Sequence, residues 1–225
     1  MITSRDNEKL KLVRKLHDRR WREKLGLFVV EGEDLLAEDV EPVELLVAGE
    51  TVEPALLAEV STLAHPPRVV AVYRRDDLPR GVRPVTLALW RVADPGNIGT
   101  LLRAADAFGA GVALSAGCAD PTGPKALRAA MGAVWRVPLS SFDEPAGTRV
   151  ALVPRGGTPL PELSVDGDVV LVLGAEREGL PRDALDRCAL QASIPQPGQA
   201  ESLNVAMAGT IALYELSRDS SDSRS

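Results

Sequence analysis

The chain has 225 residues, of which 45% are hydrophobic and 26% are charged. This is enough apolar material for a packed core in one domain or in two small ones. The first residues contain no apolar stretch of the signal-peptide type, and no run approaches the roughly 20 apolar residues of a membrane span. We therefore expect a globular, cytoplasmic protein that does not enter a membrane.

The cysteines and histidines stand alone in the sequence, at Cys118, Cys188, His17 and His65. Their spacing fits neither a disulfide framework nor a set of zinc ligands. It also fits no pair of nucleophile and base. We expect two plain buried thiols and a chemistry that uses neither histidine nor a metal.

The formal net charge of −6 argues against a polyanionic partner such as nucleic acid, but the charge is unevenly distributed. The first 25 residues are rich in basic side chains, with few acidic ones between them. They comprise Arg5, Lys9, Lys11, Arg14, Lys15, Arg19, Arg20, Arg22 and Lys24. Two interpretations stay open for this basic segment: a solvated helix face, or a surface that binds RNA.

The first part of the chain has the pattern of a small α/β unit, which we assign to residues 1–78. Helical spacing of apolar residues predicts a helix over residues 6–24. Further along, we predict strands at 27–30, 43–47 and 68–73, and helices at 34–38 and 54–63. The polar, breaker-rich stretch 74–81 is typical of a linker.

The second part, residues 83–217, alternates apolar strand candidates with helical patterns. The strands are predicted at residues 85–90, 111–114, 150–153 and 169–173. This alternation is typical of a mostly parallel sheet covered by helices, so we assign the chain to the α/β class. The tail, residues 218–225, has nothing to bury and is predicted to be disordered.

A glycine-rich loop that leads into a helix follows the first strand of the second unit. It begins at Asp94 and contains Asn97, Gly99 and Arg103. Free N–H groups at such a junction bind anions, although a plain tight turn before a helix is an equal alternative. We place Arg103 in the first helical turn, where the helix dipole disfavours a cation, and therefore expect a bound phosphate beside it.

Two later loops carry polar residues at the ends of buried segments. Gly174 ends a strand and Glu176 follows it, at the edge where parallel sheets bind ligands. The leading role for Glu176 is a hydrogen-bond acceptor that fixes its loop. A proline-rich loop then brings Ser202 and Asn204 to the start of the last helix, where Ser202 is a candidate N-cap. Asn204 is a poor residue inside a helix unless its amide is needed.

The three loops, in this order, resemble the three motifs of the SpoU-type (TrmH-like) RNA 2′-O-ribose methyltransferases of the SPOUT superfamily. The first motif is N-x-G-x-x-x-R, the second is G-x-E-x-x-G, and the third combines I-P with S-L-N. They are formed by Asn97, Gly99 and Arg103, by Gly174, Glu176 and Gly179, and by Ile194, Pro195, Ser202, Leu203 and Asn204. The segment 28–32 resembles the start of an L30e-like RNA-binding domain, so the resemblance reaches from there to Leu216.

This chain departs from the family pattern in two places. The approach to the first motif, residues 89–94, is less polar than is common in such proteins, and the first unit is short. The short first unit puts the identity of the RNA target in doubt and not the chemistry.

The resemblance implies a deep trefoil knot in the second unit, S-adenosylmethionine as cofactor, and methyl transfer to a ribose 2′-hydroxyl of RNA, above all ribosomal RNA. It implies catalysis by Arg103, with Asn97, Glu176 and Asn204 holding Arg103 and the loops in place. The implied cofactor-binding residues are Leu152, Gly174, Ile194, Ser202 and Leu203. For RNA binding we single out Arg14, Lys15, Arg19 and Arg20 of the basic segment, and we expect no metal site.

The family also implies a homodimer whose active sites lie at or near the subunit interface. The last helix has small residues, Ala206, Ala208, Gly209 and Ala212, that allow another backbone to approach closely. Packing of the same residues inside one chain is an equal alternative on sequence alone.

Three other functions remain as alternatives. They are a tRNA 2′-O-methyltransferase, a non-catalytic RNA-binding homologue, and an oxidoreductase that uses a dinucleotide. The last is disfavoured because the chain has no G-x-G-x-x-G. The sequence does not name the nucleotide that is methylated.

Overall fold

The chain folds into two adjoining α/β units, each built on its own sheet. The computed structural model describes residues 1–175, 178–198 and 202–222. In this described part, the sheet of the amino-terminal unit has three antiparallel strands and that of the carboxy-terminal unit has seven parallel strands. The α/β class and the parallel sheet of the second unit are therefore confirmed.

The amino-terminal unit places two helices before its sheet and one between its strands. Its elements are α1 Glu8–Leu16, α2 Arg19–Leu25, β1 Leu27–Glu31, β2 Glu44–Val47, α3 Pro54–Val60 and β3 Val69–Arg74. The strand order is β1-β3-β2. The core forms between the sheet and α1 and α3, because Leu10, Val13 and Leu16 recur on one face of α1 and are fully buried.

Two helix predictions in this unit were wrong in detail. The helix predicted over 6–24 is broken into α1 and α2, because Asp18 adopts an extended backbone and its side chain accepts a hydrogen bond from Arg20 N, which starts a new helix. The helix predicted at 34–38 is a short 3-10 turn, Glu33–Leu35.

The carboxy-terminal unit contains the larger sheet, in the strand order β6-β5-β4-β9-β7-β10-β8. Its elements are β4 Val85–Leu89, α4 Pro95–Ala107, β5 Gly111–Leu114, α5 Pro124–Ala130, β6 Leu139–Ser141, β7 Thr148–Leu152, β8 Thr158–Pro159, β9 Val169–Leu173, α6 Arg182–Asp186, β10 Leu190–Ser193 and α7 Val205–Asp222. The four predicted strands are β4, β5, β7 and β9, which lie near the centre of the sheet. Strands β6, β8 and β10, which are short and mostly polar, were not predicted from the sequence.

Helices α4 and α7 lie side by side and run in the same direction. Asn204 before α7 contacts Asn97 near the start of α4, and Tyr214 contacts Phe108 at the end of α4. Between these points the two helices are so close that a Cβ on Gly209 of α7 would lie 2.5 Å from Leu101 Cδ2 of α4.

The buried face of α7 corrects one expectation about its small residues. Ala206, Gly209 and Ala212 are buried against the chain's own core, so they serve intramolecular packing and do not form an outer surface. Ala208 is half-buried. The helix continues to Asp222, so helical structure extends into the segment 218–225 for which the sequence predicted disorder.

The two units pack tightly, and the predicted linker is part of the contact. Gly81 N donates to Leu139 O, and Leu139 N donates to Pro79 O, which tie residues 74–81 to β6. An apolar cluster around Phe28 and Tyr73 of the amino-terminal sheet packs on α5 and on the turn Ala133–Trp135. No helix in the described part of the chain combines the length and the hydrophobicity that crossing a membrane requires.

Candidate functional site

Three cavities lined by described residues follow one another along the carboxyl edge of the large sheet. The junction cavity, of about 390 Å³, lies at β6 and β5 where the two units meet. The rim cavity, of about 750 Å³, lies beyond β5, β4 and β9. The loop cavity, of about 400 Å³, lies beyond β9, β7 and β10. Parallel sheets bind ligands at this edge, so all three cavities are candidate sites.

The loop cavity brings together all five residues predicted to bind the cofactor. They are Leu152, Gly174, Ile194, Ser202 and Leu203. Its lining also includes residues that the sequence analysis did not select, among them Leu173, Leu180, Leu185, Gln196, Val205 and Ala208. Leu173 ends β9, Leu180 and Gln196 lie in loops, Leu185 lies in α6, and Val205 and Ala208 begin α7, so no single sequence signal identifies them.

One buried side-chain polar atom of the loop cavity has no hydrogen-bond partner in the described part of the chain. Gln196 Oε1 is buried there, although buried amide oxygens are normally paired. The remaining lining is mainly aliphatic. The loop cavity therefore fits a ligand with a flat or apolar body and an N–H donor.

The geometry of the second motif explains its two glycines. A Cβ on Gly174 would lie 2.3 Å from the carbonyl carbon of Gly179. The loop can therefore fold back onto residue 174 only because that residue has no side chain. Gly179 has φ +65° and its N–H donates to Ala175 O over 2.9 Å, which closes the turn. Glu176, predicted to fix this loop, lies outside the described residues.

Asp94 fixes the start of α4. Its carboxylate accepts from Asn97 N at 3.0 Å and from Lys125 Nζ at 2.9 Å. The hydrogen bonds from Lys125 and from the Asn97 backbone hold the pKa of Asp94 below its ordinary value. The loop of the first motif is therefore anchored by a charged group to α5.

Asn97 and Asn204 meet directly at the edge of the rim cavity. Asn204 Nδ2 donates to Asn97 Oδ1 at 3.1 Å. Asn204 Oδ1 accepts from the N–H groups of Ala206 and Met207, so Asn204 caps α7. The helix cap is thus Asn204 and not Ser202, which lines the loop cavity instead.

Two expectations about the first motif are corrected by α4. Arg103 lies in the third turn of this helix, not in the first, so the argument from the helix dipole does not apply to it. Gly99 is a packing residue, since a Cβ there would lie 2.3 Å from Ala126 O of α5.

Arg103 is exposed, and it belongs to the lining of neither the loop cavity nor the rim cavity. Of the predicted site residues that the structure describes, Asn97 and Asn204 meet each other and the cofactor set lines one cavity, while Arg103 stands apart in the single chain.

The four basic residues predicted to bind RNA are all exposed, but their surroundings differ. Arg14 pairs with Glu59 at 3.8 Å, and Lys15 Nζ lies 5.3 Å from the Trp21 ring. Arg19 pairs with Glu23, and its Nη1 also donates to Cys118 O of the other unit. The side chain of Arg20 has no ion pair within the described residues.

A further arginine of the basic segment, Arg22, is buried and serves the junction between the units. It donates to Asp120 Oδ2 at 2.8 Å and to the carbonyls of Leu16 and His17. Arg75 also contacts Asp120, at 3.2 Å. Burial raises the pKa of Asp120, but Arg75, Thr122 and Arg22 outweigh it, so that pKa lies below its ordinary value.

The thiols and possible metal ligands show no further constellation in the described ranges. Cys118 is buried and Cys188 is half-buried, and burial raises the pKa of the Cys188 thiol. No group of three or more His, Cys, Asp or Glu residues in these ranges could hold a metal ion.

Comparison with known protein families covers both units. Residues 84–214 match the model of the SpoU rRNA Methylase family, and residues 7–75 match the MRM3-like substrate binding domain. These two matches lie within the predicted boundaries of the two units.

Individual relatives align over nearly the full length. An uncharacterized tRNA/rRNA methyltransferase of Synechocystis is 32% identical, over 96% of this chain and 93% of its own. The Bacillus subtilis 23S rRNA (guanosine(2553)-2′-O)-methyltransferase RlmP is also 32% identical, over 96% and 98%. An AdoMet-bound rRNA methyltransferase from Sinorhizobium meliloti superposes with a TM-score of 0.86 and 28% identity, over 97% of both chains. The family match and these identities show that the chain belongs to the SpoU rRNA methylase family.

Proposed function

We propose that this chain transfers a methyl group from S-adenosylmethionine to a ribose 2′-hydroxyl of ribosomal RNA. The observation that carries the proposal is the loop cavity, in which the loops of two family motifs meet around an apolar pocket with one buried acceptor, Gln196 Oε1, that no described residue pairs. Relatives support the substrate class: one is named for guanosine 2553 of 23S rRNA, and another, from Streptomyces viridochromogenes, for uridine 2479.

The residues of the loop cavity fit the cofactor. Aliphatic side chains such as Leu152, Ile194 and Leu203 suit the adenine ring, and Gln196 Oε1 can accept from an amino group of the ligand. Bound there, S-adenosylmethionine supplies an activated methyl group. The chain has to align the ribose oxygen with that methyl group and to stabilise the developing alkoxide while the hydroxyl proton passes to water.

Arg103 is the proposed catalytic residue. A guanidinium remains protonated in proteins, so we assign it to stabilising the developing alkoxide and anchoring a phosphate, and not to taking the proton. Asn97 and Asn204 hold the starts of α4 and α7 together, which fits the proposed role of positioning Arg103 and the loops. Glu176 keeps its predicted role as a loop-fixing acceptor.

We further propose a homodimer formed through the outer face of α7. Met207, Ile211 and Tyr214 are 57%, 38% and 54% exposed and lie on one side of this helix. Such an apolar stripe on the surface suits a twofold contact. In the dimer, Arg103 of one copy acts at the loop cavity of the other, which accounts for its position outside both cavities of its own chain.

The finer features of the fold are also proposals. After β10 the chain returns from near the sheet edge to the middle, where α7 packs on α4 and β9, as the family's deep trefoil knot would require. The match to a substrate binding domain supports an L30e-like RNA-binding role for the amino-terminal unit. An RNA substrate agrees with the cytoplasmic location predicted from the sequence.

Methyl transfer is tested with purified protein, labelled S-adenosylmethionine, and unmodified 23S rRNA or tRNA transcripts. We expect label in 23S rRNA, and nuclease digestion with mass spectrometry should find it on a ribose. Label in tRNA alone would favour the tRNA alternative. Cofactor binding without transfer to either RNA would favour a non-catalytic homologue.

Arg103→Ala should abolish methyl transfer while the cofactor affinity stays within a few fold, because the proposed role of the guanidinium is on the ribose oxygen and a phosphate and not on the cofactor. Turnover is measured with the 23S rRNA transcript, and affinity by calorimetry with a chelator present. Near-normal turnover would contradict the catalytic assignment.

The dimer and its shared site are tested by mixing two inactive variants, Arg103→Ala and Gly174→Val. If Arg103 acts across the interface, mixed dimers regain one intact site, which amounts to about a quarter of the wild-type activity in an equal mixture. If Arg103 acts within its own chain, no activity returns. Ile211→Glu should yield monomers in light scattering, because it places a charge in the apolar stripe.

A further inference from the structure

The three cavities form a continuous row along the carboxyl edge of the sheet. The loop cavity and the rim cavity share Ala175 and Glu178 in their linings. The rim cavity is joined to the junction cavity through Arg91 and Ser115, because Arg91 N donates to Ser115 Oγ at 2.8 Å and Ser115 lines the junction cavity. A strand of RNA that enters at one end of this row can therefore reach the other along the protein surface.

Arg91 occupies an unusual backbone conformation at the middle of the row. Its φ is +51°. Residues other than glycine rarely adopt this backbone conformation, and those that do are often found at functional sites. The side chain is exposed and lies over Gly117, where a Cβ would come within 3.3 Å of Arg91 Nε. In the described part of the chain, no acidic partner holds its guanidinium.

The junction cavity gathers positive charge and unused hydrogen-bonding capacity. Arg19 of α2 and Arg75 and Arg80 of the segment 74–81 line it, and of these Arg75 already pairs with Asp120. Ser140 Oγ, also in the lining, is buried and has no hydrogen-bond partner among the described residues. Guanidinium and hydroxyl groups are the usual protein contacts of RNA phosphates and 2′-hydroxyls.

Two of the four acidic residues that line the row, Asp120 and Asp94, are ion-paired within the protein, whereas Glu144 and Glu178 have no ion pair among the described residues. Asp120 is held by Arg22 and Arg75, and Asp94 is held by Lys125. Glu144 accepts from Ser141 N and Ser141 Oγ. Arg80 contacts Asp76 four residues away, an exposed pair that is weak enough to be replaced by a phosphate.

We propose that the junction cavity and Arg91 form a second RNA subsite, which binds the phosphates and riboses that flank the methylated nucleotide. The inference rests on the proposed function. The junction cavity and the loop cavity are about three strand spacings apart, roughly 14 Å, so the junction cavity takes a neighbouring nucleotide and not the one that is methylated. Arg91 binds the backbone that connects the two.

The test uses Arg80→Gln and Arg91→Gly, with Arg182→Gln as a matched control. Arg182 is also an exposed arginine paired with an aspartate four residues away, Asp186, but it lines none of the three cavities. The probes are a fluorescein-labelled twelve-residue oligouridylate, read by anisotropy over a salt series, and the 23S rRNA transcript, used for KM and kcat.

We expect Arg80→Gln and Arg91→Gly each to weaken oligouridylate binding. The plot of the logarithm of the binding constant against the logarithm of the salt concentration should become less steep by about 0.7, the value for one lost single-strand phosphate contact. KM for the transcript should rise several fold with little change in kcat. The control should match wild type. Because glycine accepts a positive φ, Arg91→Gly should keep or raise the thermal midpoint, which separates lost RNA contact from lost folding.

Salt slopes and KM equal to wild type in both variants would overturn the subsite while leaving the proposed function intact. Failure of the wild-type protein to bind or methylate RNA would instead overturn the proposed function, and the subsite with it. Equal losses in Arg182→Gln would show a general charge effect and would also overturn the subsite.

Discussion

Gly99 and Gly174 set the distance between neighbouring segments of the site. At both positions an added methyl group would collide with main-chain atoms, of Ala126 in one case and of Gly179 in the other. Neither residue has a positive φ, so glycine is not needed there for its backbone freedom. Its role at both positions is to let a neighbouring segment of main chain approach closely. At the scale of single residues, the glycines of two family motifs are thus explained by packing.

Gly99→Ala should lower the free energy of unfolding by about 1–3 kcal/mol, the usual cost of overpacking a tight contact. Urea unfolding followed by circular dichroism measures the change. Gly198→Ala is the matched control, because nothing lies within 4 Å of a Cβ at that position. Equal stability of the two variants would contradict the packing role.

At the scale of elements, the pairing of α4 with α7 organises the site. Asn204 performs two tasks in this pairing: its oxygen caps α7, and its amide nitrogen bonds Asn97. The two tasks use different atoms of one side chain, so they can be separated by substitution.

Asn204→Ala should lose both the cap of α7 and the hydrogen bond to Asn97, and we expect the free energy of unfolding to fall by about 1–2 kcal/mol. Asn204→Asp keeps the capping oxygen but has no amide donor for Asn97. It should recover most of the stability and still show reduced methyl transfer. Full activity in Asn204→Asp would show that the contact with Asn97 is dispensable.

The basic segment gives a second prediction at this scale. Lys15 and Arg20 are exposed on α1 and α2 and have no ion pair in the described ranges, so they are available to RNA phosphates. Lys15→Gln/Arg20→Gln should lower the salt slope of RNA binding by about 1.4. Arg68→Gln, a control from the same unit whose arginine is held by Glu33 and Glu50, should change it less. An unchanged slope in the double variant would support the solvated-face interpretation.

At the scale of the whole molecule, a buried ion pair joins the two units. Arg22 and Asp120 are 5% and 4% exposed at their side chains and come from different units. Removing one partner of such a pair leaves an unpaired buried charge, whereas replacing both can be nearly neutral. We therefore expect the pair to specify how the units meet more than it adds to stability.

Asp120→Leu should cost about 3 kcal/mol in the free energy of unfolding, and Arg22→Met/Asp120→Leu should be closer to wild type. Urea unfolding of the two single variants and the double variant measures the coupling. If the double variant loses as much free energy of unfolding as the two single variants together, Arg22 and Asp120 are not coupled.

The same pair predicts a pH dependence. The pKa of Asp120 is lowered in the folded protein below the ordinary value of an aspartate, so its stabilising contribution is present above that ordinary pKa and is lost as the pH falls through the folded pKa. Wild type should therefore lose stability more steeply below pH 4 than Arg22→Met/Asp120→Leu. Parallel pH profiles of the two proteins would contradict this.

The sequence by itself determined the family, the α/β class, the central strands and five of the residues that line the loop cavity. This was possible because buried strands appear as continuous apolar runs, and because each motif lies within a short stretch of chain. The two edge strands β6 and β8 and the strand β10 beside β8 were not predicted, since short polar strands gain their stability from neighbours that are distant in sequence.

Only the tertiary structure decided which residues share a surface. Arg80, Arg91, Ser115 and Ser140 belong to four separate segments, and no spacing along the chain indicates that they lie in one row. The same holds for Arg22, which a basic sequence pattern assigned to the surface and which is buried against Asp120. The physical reason is that a parallel sheet orders its strands differently from the chain, so contacts at its carboxyl edge are set by strand order and not by sequence distance.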